Sequence, residues 1–180
     1  LRVSHVFVSH AHMDHFIGFD WLLRILLGRE KDLQLFGPPG FLAQVEHKLR
    51  AYTWNLVHNY LADFTLHVTE LDGKGAGRRA SFHCRSAFRR EDETTVACPG
   101  DVLLREPAMR VRCVLLDHGG IPCLAYALEE QAHVAFRGAL VGHLLVSGNA
   151  YVEAVEMDGA VRELHALRPD RIRIVPGSDG

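Results

Sequence analysis

The residues with the greatest capacity for chemistry lie close together near the start of the chain. His10, His12, Asp14 and His15 stand within one short run. Imidazole nitrogens and carboxylate oxygens bind Zn²⁺ at about 2.0–2.2 Å. His10 and His12 can point the same way, while Asp14 and His15 can reach a second point nearby. The run therefore predicts a metal site, and two ions roughly 3.5–4 Å apart could share one hydroxide there.

The elements on either side of this run are predicted to be a buried strand and a helix. Residues 3–8 are apolar and rich in β-branched side chains, which favours a strand. A polar turn is expected over residues 9–15, then a helix over residues 16–27, with Gly28 as its stop. The alternative is a solvated, histidine-rich turn. The apolar elements on both sides favour the metal site, because they would hold the turn in place.

Further along the chain, apolar patterning predicts more strands and helices. A strand over residues 33–36 is followed by a Gly-Pro-Pro-Gly turn, and Phe41, Leu42, Val45 and Leu49 then lie on one helical face. Strands are expected over residues 64–71, 81–88, 94–98 and 171–175, with residues 89–93 as a connection, and residues 136–146 favour a helix. Residues 109–128 predict a hairpin that places Asp117 and His118 at a strand end.

Composition sets broad limits on the class of protein. The 180 residues fit a single domain, and 48 % hydrophobic and 23 % charged residues are ordinary for a globular chain. A formal net charge of −2 gives no global attraction to nucleic acid. No apolar run reaches transmembrane length, so no membrane partner is expected. The four cysteines form no CxxC pair and predict reduced thiols in a cytoplasmic protein.

Three segments resemble a known family. The run FVSHAHMDHFIGF at residues 7–19 resembles the signature of the metallo-β-lactamase superfamily. LFGPPG at residues 35–40 and DHGGIPCLAYALEE at residues 117–130 are similar to segments of its ribonuclease Z branch, the 3′ tRNA-processing endonucleases. The resemblance covers roughly residues 1–130. It implies an α/β fold of the αββα type, in which two sheets pack face to face with helices outside, here expected to be truncated at both ends.

The resemblance also implies roles for individual residues. His10, His12 and His118 would hold one zinc ion, while Asp14 and His15 would begin a second zinc site. Asp14 would orient the attacking hydroxide and act as general base in phosphodiester cleavage. Asp117 could orient an imidazole, or it could be a solvated carboxylate of the turn.

Two late ligands and an opening hairpin that the family has are not recognised. Asp179 is the candidate for a bridging Asp, although Pro176 and Gly177 precede it, and no histidine follows His165. The chain is therefore expected to be an internal portion of a longer enzyme that binds two zinc ions.

Several alternatives of function stay open at this point. The expected substrate is RNA, including a tRNA precursor, or a small phosphodiester. Arg85, Arg89 and Arg90 could contact phosphates or form a solvated face. The runner-up functions are hydrolysis of a small ester, thioester or lactone by the same fold, and a metal-binding fragment without catalysis. A homodimer is one alternative for the oligomeric state.

Overall fold

The structure, a computed structural model, describes residues 3–106, 109–130, 149–157 and 160–167. Within these ranges the helices are α1 (Met13–Phe16), α2 (Gly18–Leu26) and α3 (Phe41–Arg50). The strands are β1 (Val3–Val8), β2 (Lys31–Gly37), β3 (Phe64–Leu71), β4 (Ala76–His83), β5 (Arg90–Ala97), β6 (Val102–Arg105), β7 (Met109–His118), β8 (Ile121–Glu130), β9 (Asn149–Met157) and β10 (Ala160–Leu167).

The strands form two sheets. Seven of the described strands make the first sheet, in the order β10-β9-β1-β2-β3-β4-β5, and three make the second, in the order β6-β7-β8. The pairs β1–β2 and β2–β3 are parallel, whereas the remaining neighbours are antiparallel. The carboxyl ends of β1, β2 and β3 therefore meet at one edge of the first sheet, which is where ligands bind in open sheets of this kind.

Two apolar cores hold three layers together. On one face of the first sheet, side chains such as Val6, Leu35 and Val68 pack against α2 and α3. Its other face packs the second sheet, with Phe7 and Phe36 among the buried side chains at that junction. Because successive side chains of a strand point to opposite faces, β1 and β2 supply both cores. This arrangement agrees with the predicted sandwich of two sheets with helices outside.

The structure confirms most of the predicted elements near the candidate site. The predicted strand over residues 3–8 is β1, and the predicted hairpin is β7 and β8. The predicted helix over residues 16–27 is present as α2, but helical structure begins earlier, at Met13, inside the segment expected to be a turn. The first helical turn therefore includes Asp14 and His15.

Two predicted boundaries were wrong. The strand expected over residues 81–88 ends at His83, because the chain turns over Cys84–Ser86 and Ala87 and Phe88 adopt positive φ angles. Four of the five residues expected to form a connection, residues 90–93, belong to strand β5. The strand was not predicted because its sequence is charged. A charged sequence is compatible with a strand here, because β5 lies at the edge of the sheet, pairs only with β4 among the described strands and exposes most of its side chains.

Several predictions lie outside the described residues or stay untested. The helix over residues 136–146, the strand over residues 171–175 and Asp179 fall outside the described ranges. That the whole chain forms one domain stays a prediction. None of the helices that the structure describes is long and apolar enough to span a membrane.

Candidate metal centre

The candidate site forms where the carboxyl end of β1 meets the end of the β7–β8 hairpin. His10 and His12 follow β1, and His12 is the N-cap of α1, where its carbonyl accepts hydrogen bonds from the amides of His15 and Phe16. His118 is the last residue of β7. The amide of Leu124 on β8 donates to the carbonyl of Ser9 at 2.8 Å, which joins the hairpin to the start of the turn.

Three histidines converge on one point. The ligand nitrogens of His10, His12 and His118 all lie within 4.8 Å of one another. The ring centroid of His10 is 4.7 Å from that of His12 and 4.9 Å from that of His118, and the His12 and His118 centroids are 5.6 Å apart. Three imidazoles at such spacing form the kind of ligand set that holds Zn²⁺ in hydrolases.

The environment of His10 fits a metal ligand. Its side chain is buried, and Nδ1 lies 3.0 Å from the Ser9 hydroxyl oxygen, whereas Nε2 is buried with no hydrogen-bond partner among the described residues. Donation by Nδ1–H to Ser9 leaves Nε2 with the lone pair that a metal requires. Burial, followed by the nearby charges of His15, His12 and His118, lowers the pKa of His10, so the imidazole is neutral at physiological pH. A divalent cation would satisfy the buried nitrogen.

Asp14 and His15 lie beside this cluster rather than within it. The ring of His15 has its centroid 4.6 Å from that of His10. His15 Nε2 is 3.4 Å from a carboxylate oxygen of Asp14, whose side chain is 76 % exposed. The His15 imidazole and the Asp14 carboxylate are thus adjacent to each other and beside the three-histidine group, where a second cation or a water molecule could contact both.

Asp117 has a role in the turn rather than at the cluster. One of its carboxylate oxygens accepts a hydrogen bond from the amide of Gly120 at 3.0 Å, and Gly119 and Gly120 both have positive φ angles. The carboxylate therefore stabilises the tight turn between β7 and β8, which fixes the direction of the strand that ends at His118.

Two further residues at the site were not found by sequence reasoning. Cys123 Sγ on β8 lies 3.8 Å from His10 Nδ1, and the hydroxyl of Tyr126 reaches the end of β1. Neither residue stands in a metal-ligand spacing with the histidines. A signal existed for Tyr126, because a tyrosine in an apolar strand needs a buried partner for its hydroxyl.

The other described histidines and the predicted phosphate contacts lie elsewhere. His67 and His83 form hydrogen bonds with Ser81 and Thr65 on the inner face of the first sheet. A cavity of about 800 Å³ on that face is lined by His5 and His83 and by none of the clustered histidines. Arg90 forms ion pairs with Glu93 and Glu46, so it is engaged in the protein's own charge network.

Comparison with known proteins agrees with this geometry. No protein-family profile matches the chain. The chain is 34 % identical over 179 residues to ribonuclease Z of Deinococcus radiodurans, an alignment that covers 94 % of this chain and 53 % of that protein. It is 28 % identical over 131 residues to ribonuclease BN of Proteus mirabilis, covering 72 % of this chain and 32 % of that protein.

A third protein is similar to this chain over a comparable length. Ribonuclease Z of Enterococcus faecalis is 27 % identical over 134 residues, covering 73 % of this chain and 33 % of that protein. The chain is similar to ribonuclease Z proteins, which belong to the metallo-β-lactamase superfamily, and its paired sheets and histidine cluster agree with that similarity. The chain spans about half the length of the D. radiodurans protein.

Proposed function

We propose that this chain carries the metal centre of an endoribonuclease of the ribonuclease Z type, a zinc-dependent phosphodiesterase that acts on RNA in the cytoplasm. The substrate would be a tRNA precursor. The observation that carries the proposal is that the ligand nitrogens of His10, His12 and His118 lie within 4.8 Å of one another. The similarity to ribonuclease Z of D. radiodurans, which extends over 94 % of this chain, supports it.

The ligand residues divide into two groups. His10, His12 and His118 would hold one Zn²⁺ ion. The lowered pKa of His10 keeps its imidazole neutral, and the neutral imidazole is the form that binds a metal ion. Asp14 and His15 would contribute to a second ion beside the first. Bound ions of this kind act as Lewis acids that neutralise charge developing on a phosphodiester.

Asp14 is the candidate general base. Its carboxylate is exposed, adjacent to the His15 ring and beside the cluster, so it can accept a proton from a water molecule that approaches the phosphorus. Asp14 lies in the first turn of α1, so the helix holds the backbone of this residue in place. Asp179, the candidate for a bridging ligand, lies outside the described residues and stays a prediction, as does the second zinc ion.

The proposal is tested by metal analysis together with RNA cleavage. The purified protein is expected to bind zinc and to cleave a tRNA precursor that has a 3′ extension. His12→Ala removes one of the three converging imidazoles, so we expect at least a tenfold loss of zinc affinity and loss of cleavage. Zinc content is measured by atomic absorption and cleavage on denaturing gels.

A matched control uses a histidine on the surface of α3. His47 is exposed and is not a member of the cluster, so His47→Ala should keep both zinc and cleavage. Full turnover by His12→Ala would contradict the assignment. Zinc binding without turnover of RNA or of a chromogenic phosphodiester would support a metal-binding fragment without catalysis. Turnover of esters, thioesters or lactones but not of RNA would support the small-ester alternative.

A further inference from the structure

The hydroxyl of a buried tyrosine in the second sheet forms a hydrogen bond with the end of β1 in the first sheet, two residues before His10. Tyr126 on β8 is buried, and its hydroxyl donates a hydrogen bond to the carbonyl of Val8 at 2.8 Å. The carbonyl of Phe36, at the end of β2, lies 3.4 Å from the same hydroxyl. A phenol buried in an apolar core requires such a partner, because an unsatisfied hydroxyl there costs free energy.

The accepting carbonyl belongs to the strand that leads into the histidine turn. Val8 is the last residue of β1, and Ser9 and His10 follow it directly. The amide of Leu124, also on β8, donates to the Ser9 carbonyl at 2.8 Å. The hairpin therefore contacts the end of β1 through two hydrogen bonds, one from its backbone and one from the Tyr126 side chain.

The same hairpin carries the third histidine of the cluster. Tyr126 pairs with Cys113 and Ile121 pairs with His118 in one continuous antiparallel ladder. A ladder of this kind is stiff along its length, so the place of Tyr126 relative to β1 also fixes the place of His118 relative to His10 and His12. The contact between Tyr126 and Val8 joins residues that are 118 positions apart in the chain.

We propose that Tyr126 is a positioning residue for the metal centre. Its hydroxyl holds the end of β1 against the β7–β8 hairpin, so that two imidazoles from one sheet and one from the other meet at the distance a single cation requires. The residue acts through the Val8 backbone and does not bind the metal itself. This inference rests on the proposed function, because it assumes that the three histidines bind a metal.

The test removes the hydroxyl and keeps the ring. Tyr126→Phe retains the packing of the ring against Phe7, whose centroid is 5.4 Å away, and so should fold. Co²⁺ replaces zinc as a spectroscopic probe, since its visible absorption reports ligand geometry. We expect the variant to bind Co²⁺ and Zn²⁺ about tenfold more weakly. At saturating Co²⁺ we expect an altered absorption spectrum, which a loss of global stability alone would not produce.

The control removes a tyrosine hydroxyl beside the core between the first sheet and the helices, away from the junction of the two sheets. Tyr60 is half-buried against the core on the helix side, so Tyr60→Phe should leave the cobalt affinity and spectrum unchanged. If Tyr126→Phe matches the unsubstituted protein in both measurements, the inference is overturned and the proposed function stands. If the unsubstituted protein binds neither Co²⁺ nor Zn²⁺, the proposed function itself fails.

A second variant keeps the inference testable if Tyr126→Phe does not fold. Para-aminophenylalanine at position 126 retains the ring and an N–H donor directed at the Val8 carbonyl. We expect this variant to keep the cobalt spectrum and affinity of the unsubstituted protein. A folded variant of this kind that binds cobalt about tenfold more weakly would show that the donated hydrogen bond is not what positions the histidines.

Discussion

Among single residues, His5 and His10 both have a pKa that burial lowers. His5 lies between Ser4, whose hydroxyl oxygen is 2.9 Å from Nδ1, and the rings of Phe7 and Phe36, each with its centroid 6.4 Å from that of His5. Burial, followed by the charges of Lys31 and Arg79, lowers the pKa of His5 to about 4. His5 and His10 are thus both neutral near pH 7, although His5 is not part of the cluster.

The lowered pKa of His5 predicts a loss of stability in acid. The unfolded chain, with an ordinary histidine pKa of 6.5, binds the proton more readily than the folded chain, so stability falls as the pH drops from 6.5 towards 4. Between pH 7 and pH 5 the free energy of unfolding should fall by roughly 2 kcal/mol on account of this group. His5→Gln should reduce that fall, as measured by urea denaturation at both pH values.

The control for this prediction is an exposed histidine. His58 lies on the surface, so His58→Gln should leave the pH dependence of unfolding as it is. An equal pH dependence in His5→Gln and in the unsubstituted protein would mean that other groups cause the acid sensitivity.

At the scale of elements, the loop between β2 and α3 is held by close packing. A Cβ atom on Gly37 would lie 2.2 Å from the ring of Phe41, which is fully buried at the start of α3. The carboxylate of Glu70, at the end of β3, accepts a hydrogen bond from the Leu42 amide at 3.1 Å and another from Arg78 Nε at 2.9 Å. The helix start is therefore fixed to the carboxyl ends of both strands.

This packing predicts different costs for substituting the glycines on either side of the Pro38-Pro39 turn, Gly37 at the end of β2 and Gly40 just before α3. Gly37→Ala must displace the Phe41 ring, and overpacking of a buried side chain costs about 1–3 kcal/mol. Gly40 has a φ of 87° with open space around it, so Gly40→Ala incurs backbone strain of about 1–2 kcal/mol and no clash. Urea denaturation should show Gly37→Ala to be the less stable variant. A reversed order would mean that the helix start moves freely.

At the scale of the whole molecule, the candidate site depends on how the two sheets meet. The junction core contains Phe7 and Phe36 from the first sheet and Val111, Leu124 and Tyr126 from the second. Burial of such side chains contributes about 25 cal/mol for each Å² removed from water. The histidine cluster lies at the edge of this core, so metal binding and the packing of the sheets should depend on each other.

The net charge of the whole molecule bears on the substrate. With a formal net charge of −2, the chain has no overall attraction to RNA, so the proposed RNA substrate would bind through local contacts with phosphates. About three such contacts predict that the KM for a tRNA precursor rises at least tenfold between 50 and 200 mM salt. Hydrolysis of a chromogenic phosphodiester should change less than about twofold. Equal salt dependence for both substrates would contradict recognition through an extended RNA backbone.

The local features of this protein could be predicted from the order of its residues. The apolar, β-branched residues 3–8 predicted β1, the Gly119-Gly120 turn predicted the β7–β8 hairpin, and the run from His10 to His15 indicated a metal-binding turn. These features depend on neighbouring residues, whose periodicity and turn preferences can be read along the chain. The charged strand β5 could not be recognised in this way, because its pairing with β4, not its own apolar content, makes it a strand.

The assembly of the site could not be predicted in this way, because it depends on contacts between residues far apart in the chain. The hairpin pattern predicted His118 at a strand end and the family resemblance implied its role as a ligand, but its distance from His10 and His12 depends on the packing of one sheet against the other. The buried His10 nitrogen that has no partner among the described residues and the hydrogen bond from Tyr126 to Val8 both result from this packing. Contacts between residues far apart in the chain leave no local periodicity, so they are fixed only when the sheets pack.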